Sequence, residues 1–287
     1  MILYNYRIDN FLSSQSNKID NRLFLIQKNF SDPVNCKKIY KFNNNQNREI
    51  SLCIEENSFL FRVKDVLSFM CFPSSGEIFY KFHKYGTEKL LEYWFTHTLL
   101  PIFFTLTNKY YFLHAGAVKI EESSVLFMAD SMGGKSTMTD YFLQQGHTLI
   151  SDDKVGTFEE DGEMMLVSSY PYHRPYRKFE DLGYKVENFA VGAGHLDVIY
   201  MLDVDESYDK VTLEELKGIE KVSLLIRGTD IGLPVFQKER FTHITKLANT
   251  TPVFRVHIPK DLERLSETYE QIVKKTKQLG EINELKF

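Results

Sequence analysis

Ala129-Asp-Ser-Met-Gly-Gly-Lys-Ser-Thr137 lies between two patterned segments. Before it, Val125 to Met128 is an unbroken apolar run that reads as a buried strand. After it, Met138, Tyr141 and Phe142 are spaced to share one face of a helix. Strand, glycine-containing turn and helix start are the context that a phosphate-binding loop needs, here with Ala129 at the first glycine position. The backbone N–H groups of such a turn and the positive end of the helix dipole converge on one point, and a phosphate fits there. Ser131, Gly133, Gly134, Lys135, Ser136 and Thr137 are therefore read as nucleotide-binding. Lys135 reaches the outer phosphates, and the Ser136 hydroxyl is a ligand for Mg²⁺. The bland reading, a Gly-Gly turn with a chance lysine, requires Lys-Ser and both flanking elements to coincide.

The reaction type must come from the neighbours of the loop. Thr148 to Ser151 reads as a short strand that ends at Asp152-Asp153. Ligands of open α/β sheets bind at the carboxyl ends of strands, so both carboxylates are expected beside the loop's phosphates. Adjacent residues of a strand point to opposite sides, which suggests different jobs for Asp152 and Asp153, one holding Mg²⁺ and the other accepting a proton from an attacking hydroxyl. His114, in Leu113-His-Ala-Gly-Ala-Val118, lies on the preceding strand. Ala115 and Gly116 after it allow close backbone approach. Arg174 and Arg177, in the stiff aromatic segment Tyr170-Pro-Tyr-His-Arg-Pro-Tyr-Arg177, are candidates for phosphate or substrate contact. Arg227, followed by Gly228, is a weaker one, and Arg255 reads as structural.

Around this centre, residues 1–85 read as a small β-rich N-terminal subdomain. Its strands are expected at Leu23–Gln27, Lys38–Phe42, Ile50–Ile54 and Phe59–Val63, with Asn43 to Asn47 as a polar hairpin connector. Residues 86–287 form the second unit. A helix is expected from Thr87 to about Leu106, broken near Pro101. Strands are expected at Tyr110–Val118, Val198–Leu202 and Val253–Ile258. A helix starting near Leu213 runs through Ser223–Ile226, and an amphipathic helix follows Asp261.

Composition narrows the function classes. The 287 residues carry a formal charge of −4, which gives no basic field for nucleic acid. An apolar fraction of 43% supports a real core. No basic-then-apolar leader is visible, and the charge-free stretch Tyr93 to Asn108 is too short to span a membrane. Cys36, Cys53 and Cys71 give no disulfide framework and no metal spacing, so a cytoplasmic location is expected.

Three segments together resemble the catalytic domain of HPr kinase/phosphorylase and its relatives, which share a core with phosphoenolpyruvate carboxykinases. They are His114-Ala-Gly-Ala-Val118, Ala129 to Thr137, and Gly146-His-Thr-Leu-Ile-Ser-Asp-Asp-Lys-Val155. The resemblance covers about Tyr110 to Val155. It implies an α/β fold with a phosphoenolpyruvate carboxykinase-like P-loop kinase core. It also implies that Lys135 holds the transferred phosphate, Ser136 and Asp152 serve Mg²⁺, Asp153 is the general base and His114 orients the aspartates. Ala129 and Met132 stand where the family usually has glycine, and the glycine-rich second signature that supports dephosphorylation has no clear match.

The leading expectation is an ATP- or GTP-dependent, Mg²⁺-requiring kinase. Its acceptor is a hydroxyl, most simply a serine of a protein or peptide, alternatively a small molecule. The departures at Ala129 and Met132 motivate a competing reading, a nucleotide-binding sensing or scaffold module without chemistry. Carboxykinase-like decarboxylation lacks the basic and metal-binding set it needs. The expected partners are a nucleotide and the acceptor, with no nucleic acid and no membrane. Assembly into a homo-oligomer stays open.

Overall fold

The structure is a computed structural model, and it describes residues 1–9, 22–31, 36, 38–43, 48–130, 133–176 and 178–284. It is a mixed α/β architecture with several sheets.

The N-terminal strands make one sheet. Its order is Ile2–Leu3, Tyr6–Asp9, Arg22–Gln27, Glu77–Phe82, Leu67–Phe72, Phe59–Val63, Glu49–Ile54 and Lys38–Asn43. Arg22–Gln27 pairs in parallel with both of its neighbours, and the other pairings are antiparallel. The strand Leu67–Phe72 was not legible, because both of its faces are covered and its sequence is apolar almost throughout, without alternation. The connector of the edge hairpin, residues 44–47, lies outside the described residues. Cys36 and Cys53 are joined as a disulfide, whereas Cys71 is a free, buried thiol. That pairing corrects the expectation of three unpaired thiols and removes the compositional argument for a reducing compartment. No described helix is long and apolar enough to cross a membrane.

The helix after this sheet starts at Glu88 with Thr87 as its cap, and the Thr87 hydroxyl accepts from the Leu90 N–H. The expected break at Pro101 does not occur. A π turn, Trp94–Leu99, precedes the proline, and the helix continues over Leu100–Leu106. Proline lacks an N–H and its ring strikes the carbonyl four residues back, here that of His97. The wider turn, in which the Leu100 N–H reaches the Phe95 carbonyl, accommodates both defects. The helix packs its aromatic side chains on the sheet, in the ring pairs Phe61–Trp94, Phe69–Phe95 and Phe59–Phe103. Tyr110, Phe112, Val167 and Tyr170 from later in the chain close the same core.

The six-stranded central sheet runs in the order Thr148–Ser151, Ala115–Ile120, Ser123–Ala129, Val198–Asp205, Val253–Pro259 and Thr212–Glu215. Ser123–Ala129, Val198–Asp205 and Val253–Pro259 are parallel. Phe127 faces the helices Lys135–Gln144 and Leu265–Glu284, while Leu126 and Met128 face the helices Gly218–Arg227 and Gln237–Thr250. Burial on both faces explains the continuous apolar run before the loop.

Two further expectations change. Residues 212–227 are a strand, Thr212–Glu215, followed by a separate helix, Gly218–Arg227. The strand expected over Tyr110–Val118 is two strands, Tyr111–Leu113 and Ala115–Ile120, which belong to different sheets. His114 is the residue at the junction.

Two buried histidines give this fold a pH dependence. Burial lowers the pKa of both His97 and His243 to about 4. The Thr157 hydroxyl donates to the Tyr111 carbonyl and so accepts from His243 Nε2, at 2.9 Å, which places a ring hydrogen on that nitrogen. The unfolded chain binds a proton at these residues below about pH 6.5 and the folded chain does not. Stability therefore falls as pH drops from about 6.5 towards 4. Each histidine accounts for roughly 2 kcal/mol of that loss at about pH 5. Denaturant unfolding at neutral and mildly acid pH should show a shallower decline in His243→Gln than in the unaltered chain.

Candidate active site

The loop is built where the central strand Ser123–Ala129 gives way to the helix Lys135–Gln144. Ala129 is still extended, so a side chain costs nothing at the position read as a lost glycine. The Gly133 N–H donates to the Asp130 carbonyl at 2.9 Å. A Cβ on Gly133 would sit 3.0 Å from both the Ala129 Cβ and the Asp130 oxygen. Gly134 has φ +84°, in the left-handed region that favours glycine. Among the described residues no side chain caps the helix that follows, which leaves its first N–H groups suited to an anion. Ser131 and Met132 lie outside the described residues.

Lys135 is 5% exposed, and its Nζ lies 3.6 Å from Asp153 Oδ1. Ser136 is half-buried in the first turn, and Thr137 is exposed. Gly116 explains how the helix comes so close to the sheet. A Cβ there would meet Thr139 Oγ1 at 2.2 Å. Gly116→Ala should therefore push the helix outward, destabilise the protein by about 1–3 kcal/mol and weaken any ligand of the loop. The double variant Gly116→Ala/Thr139→Ala should recover most of both losses in thermal melting and titration.

The two aspartates turn to different partners. Asp152 is buried. Its Oδ2 faces His173 Nδ1 at 3.0 Å and accepts from the Arg174 N–H at 2.8 Å. Its Oδ1 is buried without a hydrogen-bond partner among the described residues. Asp153 has φ +70°, a conformation that costs a non-glycine residue of order 1 kcal/mol. Oδ2 of Asp153 lies 3.1 Å from His97 Nε2, whereas His114 Nδ1 hydrogen-bonds the Asp153 main-chain carbonyl at 3.1 Å and lies 3.4 Å from Oδ1. Burial alone would raise the pKa of both carboxyls. For Asp152 the His173 ring outweighs it, and for Asp153 the His97 hydrogen bond, Lys154 and Lys135 do, leaving Asp153 well below the usual range.

Behind this pair, Lys154 donates to Asp230 at 2.7 Å, and His114 Nδ1 lies 3.6 Å from the same carboxylate. His173 Nε2 is 3.5 Å from Asp140, a residue of the loop helix that also accepts from the Tyr184 hydroxyl at 2.6 Å. Arg174 is 9% exposed. Its Nη1 meets His97 Nε2, its Nη2 donates to the Lys178 carbonyl, and its guanidinium sits over the Tyr93 ring. Its Nε is buried and unpartnered. Arg177 lies outside the described residues. Arg227 lines a hollow of 160 Å³ with His114, Asp130 and Gly228. Arg255 pairs with Glu220.

Lys135, Asp153 and His114 thus meet at one point, and Asp152 and Arg174 adjoin it. Sequence reasoning missed His97, His173, Asp140, Lys154 and Asp230. His97 was hidden inside an apolar run. His173 stood beside Arg174 in a flagged segment, and that proximity was the available signal.

The unpartnered atoms test the fit of a nucleotide and its cation. Asp152 Oδ1 is an acceptor with spare capacity, suited to a cation or its water, and Arg174 Nε is a spare donor, suited to a phosphate oxygen. Among the described residues no group of three or more His, Cys, Asp or Glu side chains could hold a metal unaided. Mg²⁺ does not demand such a cage, since it takes one or two protein ligands and completes its shell with phosphate oxygens and water.

No family model matches the chain, and no curated protein matches it. Among solved structures, the Hpr(Ser) kinase/phosphatase from Coxiella burnetii is similar at 13% identity and a TM-score of 0.35, over 57% of this chain and 97% of that one. That likeness is remote.

Proposed function

We propose that this chain is a Mg²⁺-dependent kinase that moves the γ-phosphoryl of ATP or GTP to a hydroxyl, most directly a serine of a protein or peptide. One observation carries the reading. The buried Lys135, at the start of the loop helix, lies 3.6 Å from the Asp153 carboxylate, which His97 contacts at Oδ2 while His114 bonds the main-chain carbonyl of the same residue. A phosphate cradle and an ionised base are thereby adjacent, as phosphoryl transfer requires.

Lys135, the first-turn N–H groups and Arg174 would bind the phosphates. Ser136 and Asp152 would hold Mg²⁺, which would supply positive charge against the phosphates. Asp153 would accept the proton of the acceptor hydroxyl as its oxygen attacks the γ-phosphorus, and the bond to the bridging oxygen breaks to release the nucleoside diphosphate. His114, at the seam between two sheets, would hold Asp153 in line through Nδ1. The phosphoenolpyruvate carboxykinase-like core, and the division into residues 1–85 and 86–287, belong to the same proposal.

A second reading has its own observation. A carboxyl held far below the usual range is a weak base, which suits a module that binds nucleotide and does no chemistry. Incubation with γ-labelled ATP, Mg²⁺ and lysate from the source cell, beside Asp153→Asn, separates the two. A labelled band or metabolite made only by the unaltered chain supports the kinase. ATP binding without transfer to any acceptor supports the sensing module.

A further inference from the structure

His97 Nε2 faces two groups that make opposite demands on it. Arg174 Nη1 is a donor and needs a lone pair there, whereas Asp153 Oδ2 is an acceptor and needs a hydrogen. One ring nitrogen meets one demand at a time. The ring itself is fixed, stacked on Tyr93 with centroids 5.0 Å apart and carried by the π turn Trp94–Leu99. Its Nδ1 is buried with no partner among the described residues, so no third group among them sets the tautomer. The Arg174 side has spare capacity, because its Nε is also unpartnered. A phosphate arriving there offers the guanidinium two acceptors at once and outbids a neutral imidazole.

We propose that His97 is a positioning residue that couples phosphate occupancy to the orientation of the general base. In the empty site Arg174 competes with Asp153 for Nε2. When a nucleotide phosphate takes Arg174, the ring proton moves from Nδ1 to Nε2, and Nε2 donates to Asp153. Asp153 is then held in one orientation only while there is a phosphoryl group to transfer. The π turn, by which the helix passes Pro101, sets the ring over that carboxylate. This inference rests on the kinase reading of the site.

The test uses the full chain as wild type, His97→Phe, His97→Gln and Asp153→Asn. Phenylalanine keeps a ring on Tyr93 and removes both nitrogens, whereas glutamine carries a donor and an acceptor together. Release of γ-labelled phosphate from MgATP, with water as acceptor, gives kcat and KM, and calorimetric titration gives the ATP Kd. His97→Phe should lose about 10–100-fold in kcat with KM and Kd within about threefold, and His97→Gln should regain most of the loss. Wild-type kcat in His97→Phe overturns the inference. So does a joint loss of kcat and affinity that glutamine does not repair, which marks a structural role. Where hydrolysis is too slow to follow, a double-mutant cycle on ATP Kd between His97→Phe and Asp153→Asn reads the same coupling, and additivity overturns it. A wild-type chain that binds no ATP brings down the kinase reading before any variant is compared.

Discussion

Asp153→Asn is expected to lower phosphoryl transfer by about 10²–10⁴-fold, the range for loss of a positioned general base. It should leave ATP binding unchanged or tighter. The carboxylate lies 3.6 Å from Lys135 Nζ, so it competes with phosphate for the same cation. Removing its charge releases the lysine. The measurement is turnover with labelled ATP beside a titration of the same protein. Full turnover in Asp153→Asn would show that the assigned base is wrong. The substitution also bears on acid stability. A carboxyl whose folded pKa is depressed contributes stability above the unfolded carboxyl pKa and loses it as pH falls through the folded value. Asp153→Asn should therefore flatten the decline in stability below about pH 4, leaving the separate histidine decline above that pH in place.

Lys135→Ala should act on both sides of the reaction. The ammonium is the buried cation at the start of the loop helix, and the proposed role sets it against the phosphate that carries transition-state charge. Loss of one such preorganised group costs about 10²–10³-fold in rate. Loss of its attraction to ground-state phosphates should weaken ATP affinity as well. Asp153→Asn and Lys135→Ala are thus distinguishable, since the first spares binding and the second does not. A Lys135→Ala protein that binds ATP as well as the unaltered chain would remove the loop from the phosphate site. Asp153 in that variant loses one of the charges that hold its pKa down, so its carboxyl should titrate closer to the usual range.

What the sequence disclosed depended on how local the physics was. The loop, its strand and its helix were legible because the motif and both periodicities lie within about twenty consecutive residues. The pairing of Lys135 with Asp153 could be anticipated from strand order, since both follow central-sheet strands. His97 could not. It lies 56 residues from Asp153 in sequence, inside a run whose apolar character reads as burial and nothing else. His114 was read as a strand residue, and it lies where one strand becomes two. The alternation continues across that point, because each half obeys its own sheet. The disulfide was illegible for a related reason. Cys36 and Cys53 become neighbours only when the edge hairpin forms. The helix Gln237–Thr250 was missed because few of its residues are apolar, with Ile244, Leu247 and Ala248 as its hydrophobic burial.

The helix that carries His97 is sandwiched, with the N-terminal sheet on one side and Tyr110, Phe112 and Tyr170 on the other. The sheet is therefore not a detachable cassette. Excising it would strip the aromatic support from Trp94, Phe95 and Phe103, and the His97 contact would go with it. A truncated chain would fall silent for want of a scaffold, whatever the sheet recognises. Exchanging this region between proteins would succeed only where the aromatic seam was exchanged with it.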